Sequence, residues 1–144
     1  KELDYSGVYK YSSESGIELL STELNFPNGI ALSNDERYLY VNSSNTAENP
    51  IILRYDLENN NEYEVFFDGS ELAKKSDGNF DGLKIHSSGN IFTTGPGGIL
   101  VISETGKLLA NIRFKDILTN CAFDSDEKYL YVTAFSFVAR ISLN

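Results

Sequence analysis

The sequence is poor in the residues that build the commonest catalytic and covalent devices. Its 144 residues include one cysteine, one histidine and three prolines, and it has neither methionine nor tryptophan. A single cysteine cannot form an intrachain disulfide, so cross-links do not stabilise the fold. A Ser-His-Asp site would have to use His86, which the sequence places in a strand-ending turn on the surface. Cys121 lies in an apolar segment without a basic neighbour, which predicts a core residue and not a thiolate nucleophile.

Long hydrophobic runs are also missing. Apolar segments last roughly four to six residues before a turn or a charge, which is too short for a membrane-spanning helix. No basic, apolar leader opens the sequence. Because the chain starts at Lys1 and has no methionine, we expect it to be processed, trimmed or excised from a longer gene product. A cytoplasmic location is favoured, and a periplasmic or secreted one stays open.

Positive charge is scarce. The chain has 12 lysines and arginines against 21 aspartates and glutamates, a net charge of −9 at pH 7. This balance argues against nucleic-acid partners and against binding to anionic membranes. Its simplest consequence is a solubilising surface. Hydrophobic residues make up 41% of the chain, which predicts one globular domain with a core rather than a disordered segment.

The residues that are present predict β-structure almost throughout. Short segments rich in Ile, Val, Tyr and Phe are separated by turn residues such as Thr105-Gly106. The one helical candidate, Ser70 to Lys75, is too short to organise a domain. The predicted strands are Val8–Tyr11, Ile17–Ser21, Ile30–Ser33, Tyr38–Asn42, Ile51–Asp56, Tyr63–Phe67, Leu83–His86, Ile91–Gly95, Ile99–Ser103, Leu108–Ile112, Cys121–Phe123, Leu130–Thr133 and Val138–Leu143.

A repeated unit runs through these strands. The dipeptides Asn28-Gly29 and Asp81-Gly82 each precede a short apolar strand, a polar turn and a second strand, and a third copy follows Thr119-Asn120. The first and third copies align closely, ALSNDERYLYVNSS against AFDSDEKYLYVTAF. An amide, a carboxylate and another amide therefore occupy corresponding or neighbouring positions. If the copies surround an axis, these side chains point at a common centre.

The repeat favours a propeller over a sandwich or a barrel. Four strands per period of roughly 40 to 50 residues are typical of a propeller blade. The strands then group into a partial blade in residues 1–25, full blades at 26–67 and 80–112, and a partial blade at 119–144. About three blades cannot form a closed ring and would leave apolar faces and strand edges uncovered. We therefore expect a missing N-terminal portion or a partner chain to close the ring.

Four groups of short strings, in order, carry a resemblance to a known family. They extend over nearly the whole chain: SGVYK at 6–10; FPNGIA with YLYV at 26–41; DGLKI, GNIF and GPGG at 81–98; and TNCAF with YLYVTA at 119–134. In this order and spacing the chain resembles the C-terminal half of the gluconolactonase, SMP-30 and luciferin-regenerating enzyme family. The resemblance implies an all-β fold, a segment of about three blades from a six-bladed propeller, and lactonase activity on a small-molecule sugar lactone.

The resemblance also implies a metal site. In that family one divalent cation, usually calcium and in some cases zinc, lies at the mouth of the central channel. Its asparagine and aspartate ligands correspond to Asn28 and Asp81, and the aspartate is also the favoured general base. The family's glutamate ligand and a further asparagine near the site lie in the N-terminal half, with no counterpart here. These 144 residues alone are therefore expected to be incomplete and inactive.

Other interpretations of the same residues stay open. Asn-Gly and Asp-Gly are ordinary turn formers when judged alone. Asn120 aligns better with Gly29 than with Asn28, so it is only a weak candidate for lining a substrate site. A non-catalytic propeller module for binding or assembly, or a hydrolase of a different lactone or ester, are the alternative functions, because a fold does not fix a function.

Overall fold

The computed structural model describes residues 4–44 and 50–143. Within them are thirteen strands and one short helix, which ends earlier than predicted. No helix among these residues has the length and apolar character needed to cross a membrane. The elements are β1 (Val8–Ser12), β2 (Gly16–Ser21), β3 (Pro27–Leu32), β4 (Tyr38–Ser43), β5 (Ile51–Asp56), β6 (Glu62–Asp68), α1 (Ser70–Ala73), β7 (Leu83–Ile85), β8 (Ile91–Gly95), β9 (Gly98–Ile102), β10 (Leu108–Arg113), β11 (Leu118–Phe123), β12 (Tyr129–Ala134) and β13 (Val138–Ser142).

The strands form antiparallel meanders in which sequence neighbours pair. Strands β3 to β6 make one four-stranded sheet, the first blade, and β7 to β10 make another, the second blade. Strands β11 to β13 form a three-stranded sheet, the third blade, and β1 and β2 form a separate pair. The predicted all-β propeller segment of about three blades is confirmed.

The hydrophobic core is divided among the spaces between successive sheets. Tyr40 and Ile52 of the first blade pack with Leu83 and Ile91 of the second. Phe92, on the other face of the second blade, packs with the third blade. A third cluster joins β1 to the outer face of the first blade. Each blade is therefore stabilised mainly by its immediate neighbours, as face-to-face stacking of sheets requires.

Two predicted strand starts are wrong by three residues, and both lie at the repeated polar positions. Strand β3 begins at Pro27 and not at Ile30, so Asn28-Gly29 belongs to the strand and does not form a turn before it. Strand β11 likewise begins at Leu118 and not at Cys121. Both strands shift register against their partners at these points. An extra residue in one strand lets Gly and polar residues, which are unfavourable in regular strands, remain in the sheet.

The innermost strands of the blades, β3, β7 and β11, approach one another closely. A Cβ atom placed on Gly29 would lie 2.1 Å from the backbone oxygen of Asp81, and one on Gly82 would lie 2.1 Å from Asn120 Oδ1. Gly82 N–H also donates to the Thr119 carbonyl oxygen at 3.2 Å. Glycine therefore recurs in the first two blades because the next inner strand leaves no room for a side chain.

We predict that Gly29→Ala destabilises the protein by about 3 kcal/mol or more, since the clash is with backbone and cannot be relieved by a rotamer change. Gly16→Ala is the control. Gly16 has a φ of +75° and open space around its Cα, so it should cost only about 1–2 kcal/mol from backbone strain. Urea unfolding of both variants measures the difference, and equal costs would show that the inner strands can separate at little expense.

Candidate functional site

A β-bulge presents Asn28. Pro27 pairs with Ser43 and Ile30 pairs with Val41, so β3 holds one more residue than β4 over this interval. A bulge of this kind changes the direction of a side chain at the end of a strand. The Asn28 side chain is exposed, whereas the neighbouring Gly29 is buried against the second blade.

Asp81 lies just ahead of β7 and is anchored through its backbone. Its N–H donates to Thr94 Oγ1 at 3.1 Å, and its carbonyl oxygen accepts a hydrogen bond from Asn42 Nδ2 at 2.9 Å. Asn42 is fully buried, and its Oδ1 accepts the Gly29 N–H at 2.8 Å. One amide thus connects the backbone beside Asn28 with the backbone of Asp81, across the boundary between the two blades.

The structure brings the side chains of Asn28 and Asp81 together. Asn28 Nδ2 donates to Asp81 Oδ1, and it also donates to Ser44 Oγ at 2.8 Å. Ser44 Oγ in turn donates to the Phe80 carbonyl oxygen and lies 3.1 Å from Asp81 Oδ1. An amide, a carboxylate and a hydroxyl from separate parts of the sequence therefore form one polar cluster at the inner ends of the first two blades.

Asn120 is near this cluster but makes no hydrogen bond to Asn28 or Asp81 in the part of the chain that the structure describes. Its side chain lies against Gly82, and its Oδ1 accepts the N–H of Cys121 at 2.8 Å. The repeat alignment instead places Thr119 at the position of Asn28, and its Oγ1 bonds to Thr133 Oγ1 at 2.9 Å. A substrate-lining role for Asn120 stays a prediction.

The oxygen atoms of this cluster fit a hard divalent cation in type. Asn28 uses Nδ2 and Asp81 uses Oδ1 in the hydrogen bonds above, so Asn28 Oδ1 and Asp81 Oδ2 have no hydrogen-bond partner among residues 4–44 and 50–143. Carboxylate and amide oxygens are the ligands that calcium prefers, but calcium takes six to eight of them. No group of three or more His, Cys, Asp or Glu residues converges within those ranges. The cluster alone therefore offers fewer oxygen ligands than calcium takes.

The remaining candidate nucleophile and base lie elsewhere. Cys121 is buried, and burial raises the pKa of its thiol to about 11, in agreement with a core role. His86 follows β7 at the opposite end of that strand from Asp81. Its Nδ1 lies 2.9 Å from Ser88 Oγ, and its Nε2 lies 3.3 Å from Glu127 Oε2 of the third blade. His86 is half-buried between blades, so the predicted surface role is wrong in that respect.

Sequence reasoning missed Ser44, Asn42 and Thr94. All three are polar residues at or beyond the ends of second strands, where no local periodicity reveals them. Ser44 and Asn42 bond to the backbone of the second blade, and Thr94 bonds to Asp81 in the segment ahead of β7 of its own blade. A signal for Ser44 was nevertheless present in the aligned copies, because Ser44 corresponds to the apolar Phe135. Asn42 corresponds to Thr133, which is also polar, so the alignment gave no such signal for Asn42.

A family model, a curated protein and a solved structure that resemble the chain all point to gluconolactonases. The family model described as SMP-30/Gluconolactonase/LRE-like region matches residues 1–136. Gluconolactonase of Zymomonas mobilis is 35% identical to the chain, over 98% of the chain and 41% of that protein. Among solved structures, a gluconolactonase from Xanthomonas campestris has a TM-score of 0.84 at 23% identity, covering 99% of this chain and 46% of that one.

A further solved structure is the calcium-binding protein regucalcin from Agrobacterium tumefaciens. Its TM-score is 0.71 at 22% identity, covering 88% of this chain and 43% of that one. At such identities the two structures establish likeness of fold alone. The chain spans less than half the length of each of these three relatives.

Proposed function

The chain belongs to the SMP-30/gluconolactonase/LRE-like family, and we propose that it is part of a lactone hydrolase that depends on a divalent cation. The observation that carries this proposal is the contact between Asn28 and Asp81. These residues are 53 positions apart and come from different blades, yet their side chains meet at one point. The close packing of the inner strands brings them together, and a shared cation would require this convergence of an amide and a carboxylate.

Calcium is the cation that we favour, and zinc stays an alternative. Asn28 Oδ1 and Asp81 Oδ2 would be the ligands from this chain, and both are oxygens, as calcium prefers. Structural zinc sites are instead built mainly from cysteine and histidine, and the only such residues, Cys121 and His86, lie outside the cluster. When bound, the cation would supply Lewis acidity at the carbonyl group of the substrate.

Asp81 is the proposed general base. Its carboxylate would take a proton from the attacking water as the water oxygen bonds to the lactone carbonyl carbon. The proton would then go to the ring oxygen as its bond to that carbon breaks, which yields a hydroxy acid. Thr94 and Asn42 hold the Asp81 backbone on both sides, so the carboxylate starts from a fixed position. This route requires neither a serine nucleophile nor a histidine.

A sugar lactone is the proposed substrate class, because the curated relative from Zymomonas mobilis is a gluconolactonase. The lining of the substrate pocket would come from loops, which vary independently of the blade framework. The alternative is that the same residues hydrolyse another lactone or an ester. Measuring turnover of a panel of lactones and esters distinguishes the two. A binding or assembly module without catalysis is the outcome if no lactone is turned over.

We also propose that further blades of a six-bladed ring cover both ends of this segment. Leu83 and Cys121 face the preceding blade at one repeat position and are 0% and 3% exposed, but Ile30 at that position is 50% exposed. On the opposite face Tyr40 and Phe92 are 5% and 8% exposed. Their counterpart Tyr131 is 40% exposed. Positions that are buried inside the stack are open at its ends, which supports neighbours from an N-terminal half or another chain.

In the protein at its natural full length, Ile30→Ala should cost about 2–5 kcal/mol of unfolding free energy, as expected for a covered core position. Leu83→Ala, at the same repeat position, provides the reference value. Denaturant unfolding measures both. A cost below about 1 kcal/mol for Ile30→Ala, beside a full cost for Leu83→Ala, would mean that no blade covers this face.

Calcium titration calorimetry on the full-length protein tests the ligand assignment. Asp81→Ala should weaken calcium binding by more than the roughly 10–100-fold that is typical of losing a residue behind a ligand. His86→Ala, which changes a titratable residue at the other end of the same strand, should bind calcium as the wild type does. Equal affinity in the wild type and Asp81→Ala would remove Asp81 from the ligand set.

Asp81→Asn separates the ligand role from the base role. The amide keeps an oxygen for the cation but cannot accept the proton, so kcat for lactone hydrolysis at saturating calcium should fall by about 10²–10⁴. Asn28→Asp keeps an oxygen ligand and should lose less, because the added charge only weakens the Lewis acidity of the cation. The 144 residues alone should show negligible turnover. Wild-type turnover in Asp81→Asn would place the general base elsewhere.

A further inference from the structure

Ser44 connects the segments that precede both proposed ligands. Its N–H donates to the carbonyl oxygen of Phe26, two residues before Asn28, at 3.0 Å. Its hydroxyl donates to the carbonyl oxygen of Phe80, the residue before Asp81. Ser44 directly follows β4 and is half-buried. These two hydrogen bonds fix Ser44 to both blades independently of the side chains of Asn28 and Asp81.

The hydroxyl of Ser44 also determines the orientation of the Asn28 amide. A serine hydroxyl has one hydrogen to donate and two lone pairs that accept. The carbonyl oxygen of Phe80 and Asp81 Oδ1 can only accept that hydrogen, so whichever of them receives it, a lone pair of Ser44 Oγ is available for Asn28 Nδ2 at 2.8 Å. The second hydrogen of Nδ2 is donated to Asp81 Oδ1. With both of its hydrogens engaged, the amide group must present Oδ1 away from Ser44.

The same position in the other blades carries no hydroxyl. The strand pairing places Pro96 there in the second blade and Phe135 in the third. In the third blade, moreover, the residue that corresponds to Asn28 is Thr119, which bonds within its own sheet to Thr133. The hydroxyl therefore occurs in the one blade of the three that carries an amide at the position of Asn28.

We propose that Ser44 is a positioning residue for cation binding, which rests on the proposed function of Asn28 and Asp81. Ser44 does not contact the ion. It holds the NH₂ group of Asn28 so that Oδ1 is the atom offered to the cation. Without the hydroxyl, the amide can rotate by half a turn and direct NH₂ at the ion, which repels it. Residues that orient a ligand in this way typically contribute about 10–100-fold to metal affinity.

Calorimetry with calcium chloride on the full-length protein tests this role. Ser44→Ala should weaken calcium binding by about 10-fold or more, and Ser44→Thr, which keeps the hydroxyl, should restore most of the affinity. Ser103→Ala is the matched control. Ser103 is also half-buried, and its hydroxyl bonds to Thr105 Oγ1 at 2.9 Å and accepts the Lys107 N–H at 3.0 Å in a turn between β9 and β10. This control should bind calcium normally.

A second readout separates orientation from simple loss of structure. The luminescence lifetime of bound Eu³⁺ in H₂O and D₂O counts the waters on the ion, and Ser44→Ala should add about one water where the amide oxygen is lost. The melting temperature without cation should fall no further than in Ser103→Ala. The positioning role is wrong if calcium affinity falls only in proportion to the melting temperature, or if Ser44→Thr does not restore it. Ser44 would then have a structural role alone.

Alanine variants of the proposed ligands separate the role of Ser44 from the cation site itself. If Ser44→Ala binds calcium as the wild type does while Asn28→Ala loses binding, the cation site stands and the positioning role is wrong. If Asn28→Ala and Asp81→Ala also bind calcium normally, the proposed site itself is wrong, and the role of Ser44 is rejected with it.

Discussion

The buried amide of Asn42 is the contact on which the geometry of the first two blades depends. The bulge at Asn28-Gly29 removes Gly29 N–H from the regular ladder, and the start of the second blade leaves the Asp81 carbonyl oxygen outside its own sheet. Asn42 satisfies both groups at once and also reaches Thr93 Oγ1 at 3.3 Å. A buried polar group without a partner costs about 1–3 kcal/mol. The inner strands can therefore meet closely only because one side chain serves both.

This arrangement would couple the docking of two blades to the binding of the proposed cation. Asn28 belongs to one blade and Asp81 to the next, so an ion that contacts both would bind only when the blades are together. A ligand that binds the folded state alone stabilises it in proportion to the logarithm of its concentration above the dissociation constant. Calcium would thus act on the blade boundary as well as on the substrate. The Asn28–Asp81 hydrogen bond holds the same boundary when the ion is absent.

The sequence was sufficient for the strand order and for the pairing of Asn28 with Asp81, because both follow from a repeat that is visible in the residues. It was insufficient for the bulge in β3, because Pro-Asn-Gly alone is typical of a turn. The glycine is explained only by the close approach of the segment at Asp81 in the next blade. Ser44 and Asn42 were missed because their partners come from another blade. His86 was placed on the surface by its polar turn, although Phe92 and Phe123 of two blades lie at 5.9 and 5.4 Å from its ring.

Because the core is divided among the spaces between sheets, the sheets differ in how many of their faces are packed. The second blade contributes one face to the cluster with the first blade and the other face to the cluster with the third. The third blade and the β1–β2 pair each contribute a single face. In a stack held by nearest neighbours, opening starts at the terminal layers and reaches the interior last. In this segment on its own, Asn28 and Asp81 lie at an interior boundary of the stack, so their relative position would outlast fraying at either end.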